Sequence, residues 1–282
     1  MMKQFIFLLL FALALQGLAG AQQTAPTQTE PTQTMPTGPQ VDEKADQLLH
    51  KMSDFLAGEK TFTFRTKEVH DKVRSSGKIV QAQVTREVAV RRPDGVSMHV
   101  ISKAPDKNRE LKVWYDGKVI LLQSDLEKVY ARTKMPPTID EAFDYIGTTL
   151  NVPTPMGDIL YSSPYDSFMS DDTTGGYVDL DKVEGKSCHH LAFENPIVDW
   201  AIWISDGEKP LPCKFGITYK SDIGAPQISI TFLDWNFAPQ LAENQFTHEP
   251  PADYKKIQIV GRVPMEEEKP AGENPQTKEN QQ

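Results

Sequence analysis

The sequence lacks the residue patterns that metal sites and nucleophilic enzymes need. It has only two cysteines, Cys188 and Cys213, and its six histidines are scattered except for the neighbours His189 and His190. Zinc sites need ligands that converge, whereas adjacent residues of a strand point to opposite faces. No G-x-S-x-G nucleophile motif occurs either. We therefore expect no metal, no cofactor, no catalytic residue and no enzymatic activity.

The chain also lacks an excess of positive charge. It has 30 Lys and Arg against 39 Asp and Glu, which gives a net charge of −9. Binding to nucleic acid or to an anionic membrane surface depends on clustered cationic side chains. We therefore expect no nucleic-acid partner.

The longest apolar run, from Phe5 to Leu15, is too short to span a bilayer. It follows the basic residue Lys3 and precedes Ala19-Gly20-Ala21, which has the small residues of a cleavage site. Residues 1–21 are therefore predicted to be a cleaved signal peptide. The mature protein is expected to be periplasmic rather than fully secreted, with no transmembrane span.

Both ends of the remaining chain have too few apolar residues to form a core. Residues 22–40 are a Pro/Thr/Gln tract with a short repeat, and residues 263–282 are acidic and polar. Such segments cannot bury enough surface to offset the entropy lost on folding. They are predicted to be a disordered linker and a disordered tail, with one folded domain over residues 41–262.

The apolar pattern of the folded part changes from helical to strand spacing. Asp42 can cap a helix, and after it apolar residues recur every three or four positions from Ala45 to Leu56. From Thr61 they alternate with polar ones. After six predicted strands, Thr138 and Glu141 form a capping box that begins a helical insert. About eleven strands need a way to protect their edges. The pattern predicts a mainly β fold, a curved, incompletely closed antiparallel barrel with an N-terminal helix and the insert on its concave side.

Five segments together resemble a family of predicted periplasmic proteins of unknown function, whose fold is similar to the lipoprotein carriers LolA and LolB. The segments are Met52 to Leu56, Val88 to Asp94, Trp114 to Lys118, Cys188 to Phe193 and Asp199 to Ile204. The resemblance implies an unclosed barrel with helices at its mouth and an apolar cavity, which holds acyl chains in the carriers.

Alternating apolar residues of four predicted strands, and one face of the helical insert, are the candidate ligand site. The candidate cavity lining is Phe62, Phe64, Val88, Val90, Phe215, Ile217, Tyr219, Ile228, Ile230 and Phe232, and the candidate lid is Phe143, Ile146 and Leu150. The function expected from this site is a non-enzymatic carrier or sensor of a lipid or lipoprotein acyl chain. The alternative is a protein-interaction or envelope-stress regulatory module that binds an envelope protein and has a filled core.

The sequence leaves open whether Cys188 and Cys213 form a disulfide. An oxidising compartment favours pairing. In a simple meander, however, the strand from Asp199 to Ser205 lies between them. Two strand spacings are about 9.6 Å, beyond the roughly 7 Å that a disulfide can bridge. Pairing therefore requires the middle strand to end before it reaches the cysteines.

The assignment of the linker and the tail leads to a first prediction. Removing residues 22–40, or residues 265–282, is expected to leave the melting temperature nearly unchanged, because neither segment contributes apolar surface to a core. Thermal unfolding followed by circular dichroism measures this. A melting temperature several degrees lower would contradict the assignment.

Overall fold

The computed structural model describes residues 40–152, 154 and 156–259. The predicted signal peptide, the predicted tail and all of the predicted linker except Gln40 lie outside these residues. The helices are α1 (Glu43–Gly58), α2 (Ile139–Thr148), a 3-10 helix (Gly157–Leu160) and α3 (Pro164–Phe168). The strands are β1 (Thr61–Val73), β2 (Ile79–Arg91), β3 (Gly95–Lys103), β4 (Arg109–Tyr115), β5 (Val119–Ser124), β6 (Val129–Lys134), β7 (Thr174–Val183), β8 (Lys186–Glu194), β9 (Val198–Ser205), β10 (Pro212–Tyr219), β11 (Gln227–Asn236) and β12 (Lys255–Lys256).

Two helices begin where the capping residues predict. The Asp42 side chain accepts a hydrogen bond of 2.9 Å from the Ala45 backbone N–H at the start of α1. Thr138 accepts one of 3.2 Å from the Glu141 N–H at the start of α2. Each bond satisfies a backbone donor that has no partner within the helix. Within the described residues, no helix is long and apolar enough to cross a membrane.

The strands form one open sheet. Their order is β12-β6-β5-β4-β3-β2-β1-β11-β10-β9-β8-β7, so β12 and β7 are its two edges. The pairing is antiparallel except that β12 runs parallel to β6. The incompletely closed, mainly antiparallel fold is confirmed. The two-residue strand β12 is additional to the eleven strands that the pattern predicts.

The strand register determines which side chains share a face. Phe62 lies opposite Val90, Val90 opposite Val96, and Val96 opposite Tyr115. We call the face that carries these four residues the inner face. Sequence alone leaves open which side of β9 points inward, and the structure places Trp200, Ile202 and Ile204 in the buried core.

The helices cover the inner face unevenly. Leu49, Met52 and Leu56 of α1 are fully buried. In α3 the ring of Phe168 lies 5.3 Å from Trp200 and 5.7 Å from Phe215, measured between ring centroids. α1 and α3 therefore fill the space over β9 and β10. Most side chains that face α2 belong to β3, β4 and β5 at the other side of the sheet.

Cys188 and Cys213 are joined by a disulfide, with their Cα atoms 6.8 Å apart. Cys188 pairs with Ser205, the last residue of β9. The register between β9 and β10 shifts between Pro212 and Lys214, around Cys213. The middle strand thus ends at the level of the cysteines, which is the arrangement that pairing requires.

The disulfide leads to a second prediction. Replacing Cys188 and Cys213 together by alanine is expected to lower the free energy of unfolding by about 3 kcal/mol, because the bond limits the freedom of the unfolded chain. The two cysteines are 25 residues apart. Denaturant titration measures the loss, and reduced wild-type protein should show the same loss. Two free thiols in unfolded, unreduced wild-type protein would contradict the bridge.

Candidate functional site

An apolar pocket of about 310 Å³ lies between α2 and the inner face of the sheet. Its lining comes from both layers. The strands contribute Val96, Met98, Val100, Leu111, Val113, Tyr115, Ile120 and Leu122, with Arg86 from β2. The covering layer contributes Met135, Ile139, Ala142, Phe143, Ile146, Leu150, Val152, Thr154, Met156, Gly157, Leu160 and Ile259.

The pocket has a buried end and an exposed end. At the buried end, Tyr115 is 3%, Ile139 1% and Leu160 0% exposed. At the other end, Leu111 and Val152 are 38% and 37% exposed. An elongated ligand would therefore enter beside Leu111 and Val152 and extend toward Ile139. We call this exposed end the mouth.

The first turn of α2 is fixed at the buried end. The Ile139 N–H donates to the Pro93 carbonyl at 2.8 Å, and Asp140 accepts from the Ser162 N–H at 2.9 Å. Arg92 Nη1 donates to the Leu160 carbonyl at 2.6 Å, which attaches the 3-10 helix to the end of β2. Burial lowers the pKa of Arg92, whereas the negative charge of Asp140 acts to raise it. These bonds hold the closed end of the cover.

A buried cluster of charged and polar groups lies on the inner face at the level of the mouth. The Glu68 side chain is fully buried and accepts hydrogen bonds from Arg86 Nε at 2.6 Å and Arg86 Nη2 at 3.1 Å. It also accepts from Thr66 Oγ1 at 2.5 Å and from His70 Nε2 at 2.6 Å. Arg86 lies opposite Val100 in the register, and Val100 lies opposite Leu111. The cluster therefore brings one guanidinium to the mouth of the pocket.

The hydrogen bonds keep Glu68 ionised in spite of its burial. Burial alone would raise the pKa of this carboxyl, but the bond from His70 and the charge and bonds of Arg86, together with Thr66, lower the pKa to about 2. The stabilisation from this pairing is therefore present above pH 4.5, the ordinary pKa, and is lost as the pH falls toward 2.

A second carboxyl with a shifted pKa, the half-buried Asp158, belongs to the 3-10 helix. Burial raises its pKa to about 6, although hydrogen bonds from its own backbone N–H and from Ser167 act in the opposite direction. Partial burial raises the pKa of Tyr219 on β10, and the charge of Asp158 contributes to that shift. Asp158 therefore lies where the cover meets the filled part of the inner face.

The predicted lid residues and the predicted lining residues lie in different places. Phe143, Ile146 and Leu150 line the pocket. None of the ten predicted lining residues lies among the residues that surround it. Seven of them are buried in the core: Phe62, Phe64, Val88, Val90, Phe215, Ile230 and Phe232. Ile217 and Ile228 pack against that core, and Tyr219 is half-buried.

Sequence reasoning missed Arg86, Glu68 and Asp158. A signal for the first two is present, because each interrupts an inward-facing apolar series, Arg86 between Val84 and Val88 and Glu68 after Phe64. A charge in such a position needs a partner on the same face. Nothing in the sequence near Asp158 indicates its burial, which depends on where the 3-10 helix packs.

Three other surface pockets of the described chain are more polar. Their volumes are about 520, 670 and 750 Å³, and their linings include Arg65, Glu87, His99 and Lys107. Among the described residues, no group of three or more His, Cys, Asp or Glu side chains is arranged to hold a metal ion. The pocket beneath α2 is therefore the candidate ligand site.

These features define a class of protein, an open antiparallel sheet with helices over one face and an apolar pocket beneath one helix. The chain belongs to the family described as "Predicted periplasmic protein (DUF2092)", whose model matches residues 45–260. The family predicted from the five sequence segments is confirmed, and so is the periplasmic location. No curated protein matches the chain at a significant level.

Several solved structures are distantly similar. MucB is 12% identical, with a TM-score of 0.39, over 78% of this chain and 66% of its own. LprF from Mycobacterium bovis is 14% identical, with a TM-score of 0.43, over 74% of this chain and 99% of its own. The lipoprotein LppX from Mycobacterium tuberculosis is 12% identical, with a TM-score of 0.42, over 71% and 98%. With TM-scores below 0.5, these likenesses carry no argument about a ligand.

Asp158 gives the third prediction. Its pKa is raised from an ordinary 3.8 to about 6, so folding takes up a proton between these values. The stability that this group contributes is therefore greatest at low pH and falls as the pH rises through 6. Asp158→Asn is expected to raise the melting temperature clearly at about pH 8 and little at about pH 4.

The matched control for this prediction is Asp54→Asn, which replaces an exposed carboxylate of α1. It is expected to change the melting temperature little at either pH. An Asp158→Asn effect of the same size at both pH values would contradict the prediction.

Proposed function

We propose that this protein is a non-enzymatic carrier or sensor of an apolar ligand in the periplasm, such as a lipid or a lipoprotein acyl chain. The observation that carries the proposal is the pocket beneath α2, which is lined almost entirely by hydrocarbon side chains. Its volume of about 310 Å³ lies at the lower end of the range of small-ligand sites. An apolar lining with one exposed end suits a hydrocarbon chain better than a compact polar metabolite.

The chemistry of the lining favours binding over catalysis. Of its polar side chains, the Tyr115 hydroxyl already donates to the Pro136 carbonyl at 2.7 Å. Burial raises the pKa of Tyr115 to about 12, with added contributions from nearby acidic residues, so the hydroxyl stays protonated. What the pocket offers is removal of apolar surface from water, which contributes about 0.8 kcal/mol for each buried methylene group.

We propose α2 and residues 149–152 as the lid. The N-terminal turn of α2 is fixed by Ile139 and Asp140, whereas Val152, beyond its other end, is 37% exposed. Outward movement of the exposed end would widen the mouth without breaking the bonds of the fixed end. The fixed end serves as the hinge of this movement.

Two further observations support the periplasmic setting of the proposal. The family is described as periplasmic, and Cys188 and Cys213 form a bond that persists in oxidising compartments. The bridge lies with Val183 and Trp203 in a small cluster separate from the main core. It acts as a structural link at a distance from the pocket lining.

The experiment that tests the proposal is native mass spectrometry of protein purified from its own envelope, followed by lipid extraction. A bound mass that is released as a lipid or acyl compound is the expected result. Protein without any such mass, which also fails to bind added acyl compounds, would contradict the carrier function. That result would favour the protein-interaction alternative.

The fourth prediction uses the helix that covers the pocket. Ala142→Phe places a ring inside the lining and is expected to abolish most of the bound ligand, because Ala142 is 5% exposed and faces the pocket. Glu141→Phe is the matched control, since it adds the same ring to the exposed side of the same turn. Native mass spectra of both variants give the ratio of bound to free protein. Equal occupancy in the two variants would contradict the site.

A further inference from the structure

We propose that Arg86 binds the head of the ligand at the mouth of the pocket, and that it selects an uncharged carbonyl oxygen, as in an acyl ester or amide. The inference rests on the proposed function and adds the chemical class of the ligand. It also gives the ligand a direction, with the carbonyl at the mouth and the chain toward Ile139.

Arg86 lies at the end of the pocket where the polar head of an amphiphile would lie. Among the described residues that line the pocket, Arg86 is the only one with a charged side chain. It lies level with Val100 and Leu111, at the mouth. A chain that extends inward from this point meets Val96, Tyr115 and Ile139 in turn, and all three are buried. The polar end of a bound amphiphile and the guanidinium are therefore at the same end of the pocket.

The guanidinium of Arg86 has more hydrogen-bond donors than its protein partners use. A guanidinium has five N–H groups, and Glu68 accepts from Nε and Nη2 of Arg86. The remaining contact of the group joins Nη1 to the Met98 sulfur at 3.7 Å, and a thioether is a weak acceptor. Within the described part of the chain, no oxygen accepts from Nη1. Arg86 therefore has a donor available at the wall of the pocket.

The charge of Glu68 favours a neutral ligand head over an anionic one. The carboxylate of Glu68 already pairs with the guanidinium through two hydrogen bonds. A ligand carboxylate would bring a second anion next to Glu68 in a poorly hydrated site, and an unpaired buried charge is costly. A neutral carbonyl can accept from Nη1 without that cost. Among amphiphiles of equal chain length, an ester or amide should therefore bind more tightly than the free acid.

Glu68 is a positioning residue for Arg86. Its two oxygens hold Nε and Nη2, and Thr66 and His70 hold the carboxylate in turn. Removing Arg86 alone would leave a buried carboxylate without its main partner and would destabilise the fold. The informative variant therefore changes both residues, as Arg86→Met with Glu68→Gln, which leaves hydrogen-bonding groups for Thr66 and His70.

The fifth prediction compares two competitors against one fluorescent hydrocarbon. Wild-type protein and the double variant are titrated with 1,6-diphenylhexatriene, which is then displaced by methyl dodecanoate or by dodecanoate at about pH 8. The affinity of each protein for the hydrocarbon is measured first, and the affinity for each competitor is calculated from that measured value. The variant is expected to bind methyl dodecanoate about tenfold more weakly, which corresponds to about 1.4 kcal/mol. Wild-type protein is expected to prefer the ester to the acid.

The matched control is Lys112→Met with Asp125→Asn. It removes an ion pair that lies outside the pocket lining, in which Lys112 Nζ is 2.6 Å from Asp125 Oδ2. It should behave as wild type. Equal affinity of the double variant and wild type for the ester would overturn the inference and leave the proposed function intact. Tighter binding of the acid by wild-type protein would also overturn it, and this arm does not depend on any variant. Failure of wild-type protein to bind hydrocarbon, ester or acid would overturn the proposed function as well.

Discussion

The alternation of side chains across hydrogen-bonded strands decides which residues of this protein must be removed from water. The register joins Phe62, Val90, Val96 and Tyr115 into one row across four adjacent strands. A similar row, from Leu191 through Ile202 and Phe215 to Ile230, crosses the other half of the sheet. An open sheet has no second sheet to cover such a face, so the helices have to do it.

The pocket follows from how unevenly the helices provide that cover. Over β9 and β10, α1 packs with α3, and stacked rings such as Phe168 on Trp200 fill the remaining space. Over β3 to β5, only Ile139 and Ala142 of α2 are themselves buried. The helix ends near partly exposed side chains. Beside α2, the described chain provides only the one-turn 3-10 helix in this region, and it lies at the closed end of the pocket. The space beneath α2 is therefore left as a pocket, while the other half of the face is occupied by the protein itself.

The elements of this fold could be predicted from local sequence, but the location of the pocket could not. Caps such as Asp42 and Thr138 act within three residues, so the pattern locates the start of each helix. Periodicity also assigns Phe62 and Val90 to the inner face. Whether an inward side chain meets a helix or an open space depends on contacts between distant parts of the chain. This is why the predicted lining is core, whereas the predicted lid, whose place needed only the helix pattern, does line the pocket.

The buried ion pair is hard to explain by stability alone. Replacing such a pair with packed hydrophobic residues is often neutral or stabilising, because two charges must be removed from water. Arg86 and Glu68 carry that cost on the otherwise largely apolar inner face, and Thr66 and His70 are needed to satisfy the carboxylate. The pair lies at the mouth of the pocket, where a fixed guanidinium can contact a ligand. The proposed recognition of the polar end of a ligand would account for this position, because an apolar replacement has no hydrogen-bond donor.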